Sequence, residues 1–539
     1  MITTKKMGTF IAIAALLSLT LAGCAKGGNQ GDGSTTDGKP SISSAIYDRG
    51  SVPPSEGTVE KNRWTKWINE NGPVNVTFTA IPRWESGEKY NTLFASKTAP
   101  DLIFEYDSGL RDQLYNQKQL MPIDDMIEKY STDYKQLLEQ NPLLKKLAIK
   151  SDGKMYEFGH INGLATNHVL YIREDWLKKL HLDVPKTTED LYQVAKAFTE
   201  QDPDGNGKKD TYGYSLSFVT ANITDKIFQN VGWVIEDGKL IHDWDRQKAA
   251  TIFKKRLYDE GLVDKDFLAD KNGEKARQDF INGKLGMFGM NNGADAPGLQ
   301  LLEALRKNDP NAVIRAIPLP KSEFGQFSPA VQNPIQMTAA VNARAKNPEA
   351  VMKYVDFLVK KDTQKTLRYG IEGEHWKEAG GGCPAVIDKE KNDKELSYNI
   401  DYQMLTNKTD FGKCGTFAST LDPSKPLEKE FLGIIDQAKE AYLDPSRPLA
   451  SIASDEHMPS PPQNIQLIQS NAGQPMGDII NKVVVSGSSY SVDQAMKDIK
   501  SVWDKAGGQQ VDEWYAKWYD ENKDKAFLTP DMYKIEINQ

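Results

Sequence analysis

Short apolar strands alternate with amphipathic helices along most of this 539-residue chain, and that alternation restricts its fold more than any other feature. Val74–Ile81 alternates with β-branched and aromatic residues in strand fashion, Tyr90–Lys97 reads as a helix, and Ala99–Phe104 returns to strand after a turn. Leu110–Asn116 and Met126–Tyr130 follow as helices. Thr188–Thr199 is a clear one, with Leu191, Val194, Ala195 and Phe198 on one face and Thr187 or Thr188 as its cap. Helices also fit Asp245–Glu260, Asn272–Asn282, Gly298–Lys307, Asn347–Lys361 and Asp493–Ala506, while 283–289 and 312–318 fit strands. Strands separated by helices predict βαβ units on a largely parallel sheet. A chain of this length exceeds one core, since domains run to roughly 100–200 residues.

The N-terminus has a separate character. Lys5 and Lys6 precede an apolar run from Phe10 to Ala22, the charged and hydrophobic regions of a secretory signal. The run is short for a membrane span, which needs roughly 20 apolar residues. It ends in Leu21-Ala22-Gly23-Cys24, which resembles the bacterial lipobox, against the alternative of an ordinary signal peptide with a cysteine nearby. Cleavage there leaves residues 1–23 as a discarded signal and Cys24 as a lipidated N-terminus on the outer face of a cell membrane. Residues 25–40 hold no large apolar side chain and cannot offset their ordering entropy by burial, so 24–43 is read as lipidated cysteine plus tether.

Removing Lys5 and Lys6 with the leader takes the net charge from −8 to −10. An acidic chain without a basic cluster disfavours nucleic acid as a partner, although a local pocket can still hold a carboxylate. Cys383 and Cys414 remain beside Cys24, and an exported chain is free to join them; two separate buried thiols are the alternative.

The sharpest local motif is Asp202-Pro203-Asp204-Gly205-Asn206-Gly207-Lys208-Lys209-Asp210. Oxygen side chains at positions 1, 3, 5 and 9 with glycine at 6 match the first part of a calcium loop, with Lys208 contributing its backbone carbonyl. Position 12 is Gly213 instead of the bidentate glutamate, which points to a structural ion; a metal-free Asp/Asn/Gly turn is the alternative. Catalytic motifs are mostly absent: there is no G-x-S-x-G, no H-E-x-x-H and no complete Walker sequence, and six histidines are scattered without i,i+4 pairs. Most of the ten tryptophans are core by default. Trp84, Trp233 and Trp376 stand in polar or glycine-rich settings that suit stacking on a sugar ring.

Tyr47–Thr58 and Asn62–Asn69 resemble the opening of the family 1 extracellular solute-binding lipoproteins, specifically the LplA-like group of Gram-positive bacteria. The resemblance continues through Ala99–Ile103, Asp152–Tyr156, Arg173–Leu177, Asp202–Gly213, Asn347–Met352 and Tyr369–Trp376, nearly the whole mature chain. It implies an α/β, two-lobed, type II periplasmic-binding-protein-like fold with the ligand cleft between lobes. It also implies a monomer that takes an oligosaccharide and passes it to the transmembrane subunits of an ABC importer. Alginate-binding relatives carry a similar calcium loop, so Asp202, Asp204, Asn206, Lys208 and Asp210 are the implied ligands. Thr211 stands where those relatives place a glutamate, which leaves the sixth ligand to water or the Thr211 oxygen. The approximate division is 44–165 with 305–365 as lobe 1, and 166–304 with 366–539 as lobe 2, the calcium loop 202–213 lying in the latter.

For the ligand, Trp84, Trp233 and Trp376 are the stacking candidates, with Arg83, Asp107 and Glu374 as hydrogen-bonding partners. Asp107 is included because ligands gather beyond the carboxyl ends of parallel strands. Two other readings compete with the oligosaccharide receptor: a peptide or polyol receptor, and a surface polysaccharide lyase or glycosidase.

Overall fold

The computed structural model describes residues 38–378, 382–447, 451–453, 461–524 and 526–535. The signal, the lipobox and Cys24 lie outside the described residues. The chain enters through β1 (Ser41–Asp48), β2 (Asn75–Pro82), β3 (Leu102–Phe104) and β4 (Glu157–Ile161). It then passes to a second sheet with β5 (Val169–Arg173), β6 (Tyr212–Tyr214), a hairpin of β7 (Trp233–Glu236) and β8 (Lys239–His242), β9 (Leu285–Met290) and β10 (Ile314–Ala316). β11 (Ile335–Val341) returns to the first sheet, and a second hairpin, β12 (Trp376–Glu378) and β13 (Pro384–Val386), follows. The first sheet has the order β2-β1-β3-β11-β4 and the second β10-β5-β9-β6. Each sheet has its own core. The first is covered by helices including 63–71 and 348–359, the second by helices including 188–200, 296–308 and 426–442.

The helices that periodicity predicts lie within a few residues of expectation. Helix 188–200 starts where Thr187 and Asp190 form a capping box. Other features differ. β1 begins at Ser41 and pairs along its whole length with β2, so residues 41–43 belong to the sheet and not to the tether. β11 runs antiparallel to both β3 and β4, so the first sheet is mixed, not fully parallel. β10 pairs with β5, which puts 314–316 on the second sheet and takes it out of the 305–365 part of lobe 1. Tyr398, Tyr402, Met404 and Leu405 pack into the first core, which takes them out of the 366–539 part of lobe 2. Helices 426–442, 463–485 and 508–521 lie outside the helices that periodicity predicts.

Two crossing segments, 162–168 and 317–334, join the sheets side by side. His168 N–H donates to Ala330 O at 2.9 Å, Gln332 N–H to Ala165 O at 2.8 Å, and Asn162 N–H to Pro334 O at 2.8 Å. The C-terminal segment braces this junction. Phe527 and Met532 pack with Leu164 of one crossing and, less deeply, with Val331 of the other and with Leu143 and Leu147 of the first lobe.

Candidate functional site

Strand directions show where the cleft runs. β3 and β4 are both antiparallel to β11, so the carboxyl ends of β1, β2 and β3 share an edge with Ile161, where the chain leaves the first sheet. In the second sheet β5 starts at the crossing. β9 is antiparallel to β5, and β6 is parallel to β9, so the carboxyl ends of β6 and β9 face the same junction.

On the first edge, Tyr47, Arg83, Trp84, Tyr106 and Asp107 come together. The rings of Tyr47 and Tyr106 stack with centroids 5.7 Å apart. The Arg83 guanidinium lies 4.8 Å from the Tyr47 ring, 5.2 Å from Tyr106 and 5.0 Å from Trp84. Trp84 is 80% exposed, so its ring face is open to a ligand. Glu105, fully buried, organises this edge from beneath: its Oε1 accepts from the Tyr47 hydroxyl at 2.6 Å and from Asp107 N–H at 2.8 Å. Burial first, then the Glu105 charge, pushes the Tyr47 hydroxyl far above its ordinary value, so it remains a donor. Asp107 caps helix 108–116, its Oδ1 accepting from Gly109 and Leu110 N–H. The edge is anchored further by buried Arg111, whose Nη1 donates to Glu105 O at 2.6 Å and whose Nε donates to Glu157 at 3.2 Å. Burial opposes the Glu157 charge, but Lys150 and Arg111 outweigh it and hold the carboxyl below its usual range.

On the second edge stand His168, Asn291, Asn222 and Lys226. Burial, reinforced by Lys226, draws His168 down to about 4, while the polar side chains of Asn291 and Asn222 work the other way. His168 is therefore neutral at physiological pH. Beside the crossing lies a cavity of about 410 Å³, whose floor is the segment 327–331 and whose walls include Trp233, Lys226, Tyr515 and Tyr533. This volume is within the range of small-ligand sites, and an aromatic lining with a few polar groups is what such a site needs.

The sequence candidates thus separate. Arg83, Trp84 and Asp107 share the first edge, and Trp233 lines the cavity while its Nε1 donates to Asp512. Glu374 and Trp376 are in a different setting. Trp376 is 5% exposed, its Nε1 donates to Gly370 O at 2.9 Å, and it has no face left for a ligand. This corrects its reading as a stacking residue. Glu374 pairs with Lys391 at 2.8 Å, beside His375 and Glu395. Those three residues are, among the described residues, the one His/Cys/Asp/Glu group whose donor atoms all lie within 4.8 Å of one another. Its donors are already used. His375 Nδ1 accepts from Ile371 N–H, so its Nε2 carries the proton and donates to Glu395 at 3.0 Å, while Arg63 also pairs with Glu395. It is an ion-pair network. Tyr47, Glu105 and Tyr106 have no local signal in the sequence, and His168 none beyond its residue type.

The acidic loop does fold as a turn around its own donors. Asp202 accepts from the backbone N–H groups of Gly205, Asn206 and Gly207 at 3.0–3.1 Å, and the Asn206 side-chain amide bridges Asp204 and Asp210 at 2.6 and 3.1 Å. Asp204 is raised by burial and by the facing Asp202 carboxylate, a crowding of negative charge that a hard cation relieves. A Cβ on Gly213 would sit 2.1 Å from Ala195 O, which explains why no glutamate occupies position 12. The Thr211 hydroxyl is buried and donates to Phe198 O at 2.8 Å. Cys383 and Cys414 are joined, with Cα atoms 5.2 Å apart.

The model of one family matches residues 57–365, more than half of the chain. The chain belongs to the bacterial extracellular solute-binding proteins. The polygalacturonan/rhamnogalacturonan-binding protein YtcQ of Bacillus subtilis is 25% identical over 95% of this chain and 98% of its own. Lipoprotein LipO of the same organism is 28% identical over 64% of this chain and 69% of its own. The family's fold is seen in solved structures of Streptococcus pneumoniae FusA, one with kestose and one an EF-hand mutant with fructo-nystose. Each has a TM-score of 0.67 at 20% identity and covers 90% of this chain and 99% of FusA. The two-lobed α/β architecture is thus the family's own.

Proposed function

We propose that this protein captures an oligosaccharide in the cleft between its lobes and delivers it to the transmembrane subunits of an ABC importer. The observation that carries this reading is aromatic and polar lining at two places: Trp84 with Arg83 on the first edge, and the Trp233 cavity beside the crossing. Relatives that match along the chain are named for binding polygalacturonan, rhamnogalacturonan and fructooligosaccharides. A paired crossing between two sheets allows hinge closure, because a ligand touching both edges favours the closed form. The lobes are proposed to follow the two sheets, with 305–330 moved to the second lobe.

Catalysis has no place in this reading; the polar groups at the edges bind and orient. Lipidation at Cys24 is proposed to hold the protein on the outer face of the cell membrane of a Gram-positive bacterium, as a monomer of the LplA-like group. Calcium, held by Asp202, Asp204, Asn206, the Lys208 carbonyl and Asp210, is proposed to stiffen the 202–210 turn. A glycan array probed with the purified protein, followed by calorimetry on W84A and W233A, tests the proposal. Each variant is expected to lose roughly 1–3 kcal/mol, as bases do on aromatic platforms. Absence of any glycan ligand, or full affinity in both variants, overturns it.

A further inference from the structure

The two arginines of the first cleft edge have different fates. Arg49 is forked by Asp401 at 2.7 and 2.9 Å and is neutralised within the protein. Arg83 takes part in no ion pair among the described residues, and its Nε is buried without a hydrogen-bond partner. Of the nearby acids, Glu105 uses Oε1 to hold Tyr47 and the Asp107 backbone while its buried Oε2 has no hydrogen-bond partner, and Asp107 uses Oδ1 to cap its helix; neither forms an ion pair with Arg83. Three aromatic rings hold the guanidinium at 4.8–5.2 Å, but cation–π contact positions a charge without neutralising it. A rigid, planar guanidinium fixed by rings and engaged in no ion pair among the described residues is suited to receive a carboxylate through its Nη atoms.

We infer that this edge takes a uronate residue of the oligosaccharide, with its carboxylate paired to Arg83 and its C–H face laid on Trp84. The inference rests on the carbohydrate reading above and adds the charge of the ligand. The net charge of −8 makes the specificity local, because the protein as a whole repels polyanions. A neutral sugar would leave the cation unpaired as the cleft closes, whereas a uronate trades that cost for a charge-assisted pair.

The test is calorimetry at low salt with a panel of acidic trisaccharides (galacturonate, glucuronate, mannuronate and guluronate) and their neutral counterparts. The wild type, R83M, R83K and W84A are compared, with a melting curve for each to show that it folds. The expected result is that at least one uronate trimer binds tenfold or more tightly than its neutral counterpart. R83M should weaken that binding on the order of tenfold or more, and R83K, which keeps the charge without the fork, should recover part of it. Binding of a neutral trimer as tight as any uronate, or uronate binding indifferent to R83M, overturns the inference and leaves the carbohydrate reading standing. Binding of no member of either series overturns both.

Discussion

Removing the Cys383–Cys414 bond by C383S/C414S gives a prediction whose size follows from the structure. The bond closes a segment with a sequence separation of 31. In the chain-entropy model a loop of that length adds about 3.7 kcal/mol by restricting the unfolded chain. Unfolding entropy is about 2.1 cal/mol/K per residue, hence about 1 kcal/mol/K if the whole chain melts together. The double variant should then melt about 3–4 °C lower. If the first lobe melts alone, with about 200 residues cooperating, the drop grows to about 9 °C. The segment between the cysteines also carries Glu395, Asp401 and Asn407, which bind Arg63, Arg49 and the Ile161 N–H, so its loosening should be felt first in the first lobe. Differential scanning calorimetry of the variant, and of wild type with and without reductant, reads the effect. Identical melting in all three would refute the reasoning, because it would mean that the bond removes no freedom from the unfolded chain.

Chelation of the purified protein should lower its melting temperature, and added calcium should raise it by the equivalent of about 2.7 kcal/mol at 100-fold excess over Kd; D202A/D210A should abolish the response, and an indifferent wild type refutes the ion. Glu157→Ala should destabilise by about 3–5 kcal/mol in urea unfolding, because it leaves buried Arg111 and Lys150 short of their counter-charge. Lys408 is drawn down from 10.5 to about 8, by burial first and by Arg368 next. Between those two pH values the unfolded chain holds the extra proton, so stability should rise with pH over that window, and K408M should flatten the rise. His160, drawn down by burial to about 3, acts in the acid range: stability should fall as pH drops through 6.5, and His160→Gln should blunt that fall.

Features set by neighbours along the chain are legible in the amino-acid sequence alone. The Thr187 capping box opens helix 188–200, alternation marks β2, and the spacing of Asp202, Asp204, Asn206 and Asp210 marks a turn that closes on its own donors. Once Cys24 is set aside, two cysteines allow a single pairing. What tertiary structure decided was the company each side chain keeps. Trp84 and Trp376 both follow polar residues in sequence, yet one is 80% exposed and the other 5%, because hairpin and helix close over the second and nothing described covers the first. Arg49 finds Asp401 across 352 positions while Arg83 forms no ion pair among the described residues, a difference no local pattern records. The pairing of β10 with β5 and of β11 with β3 and β4 likewise joins segments that periodicity treats alike. Periodicity and capping are short-range and act within a few residues, whereas burial and ion pairing depend on which distant segments the sheets bring to one edge.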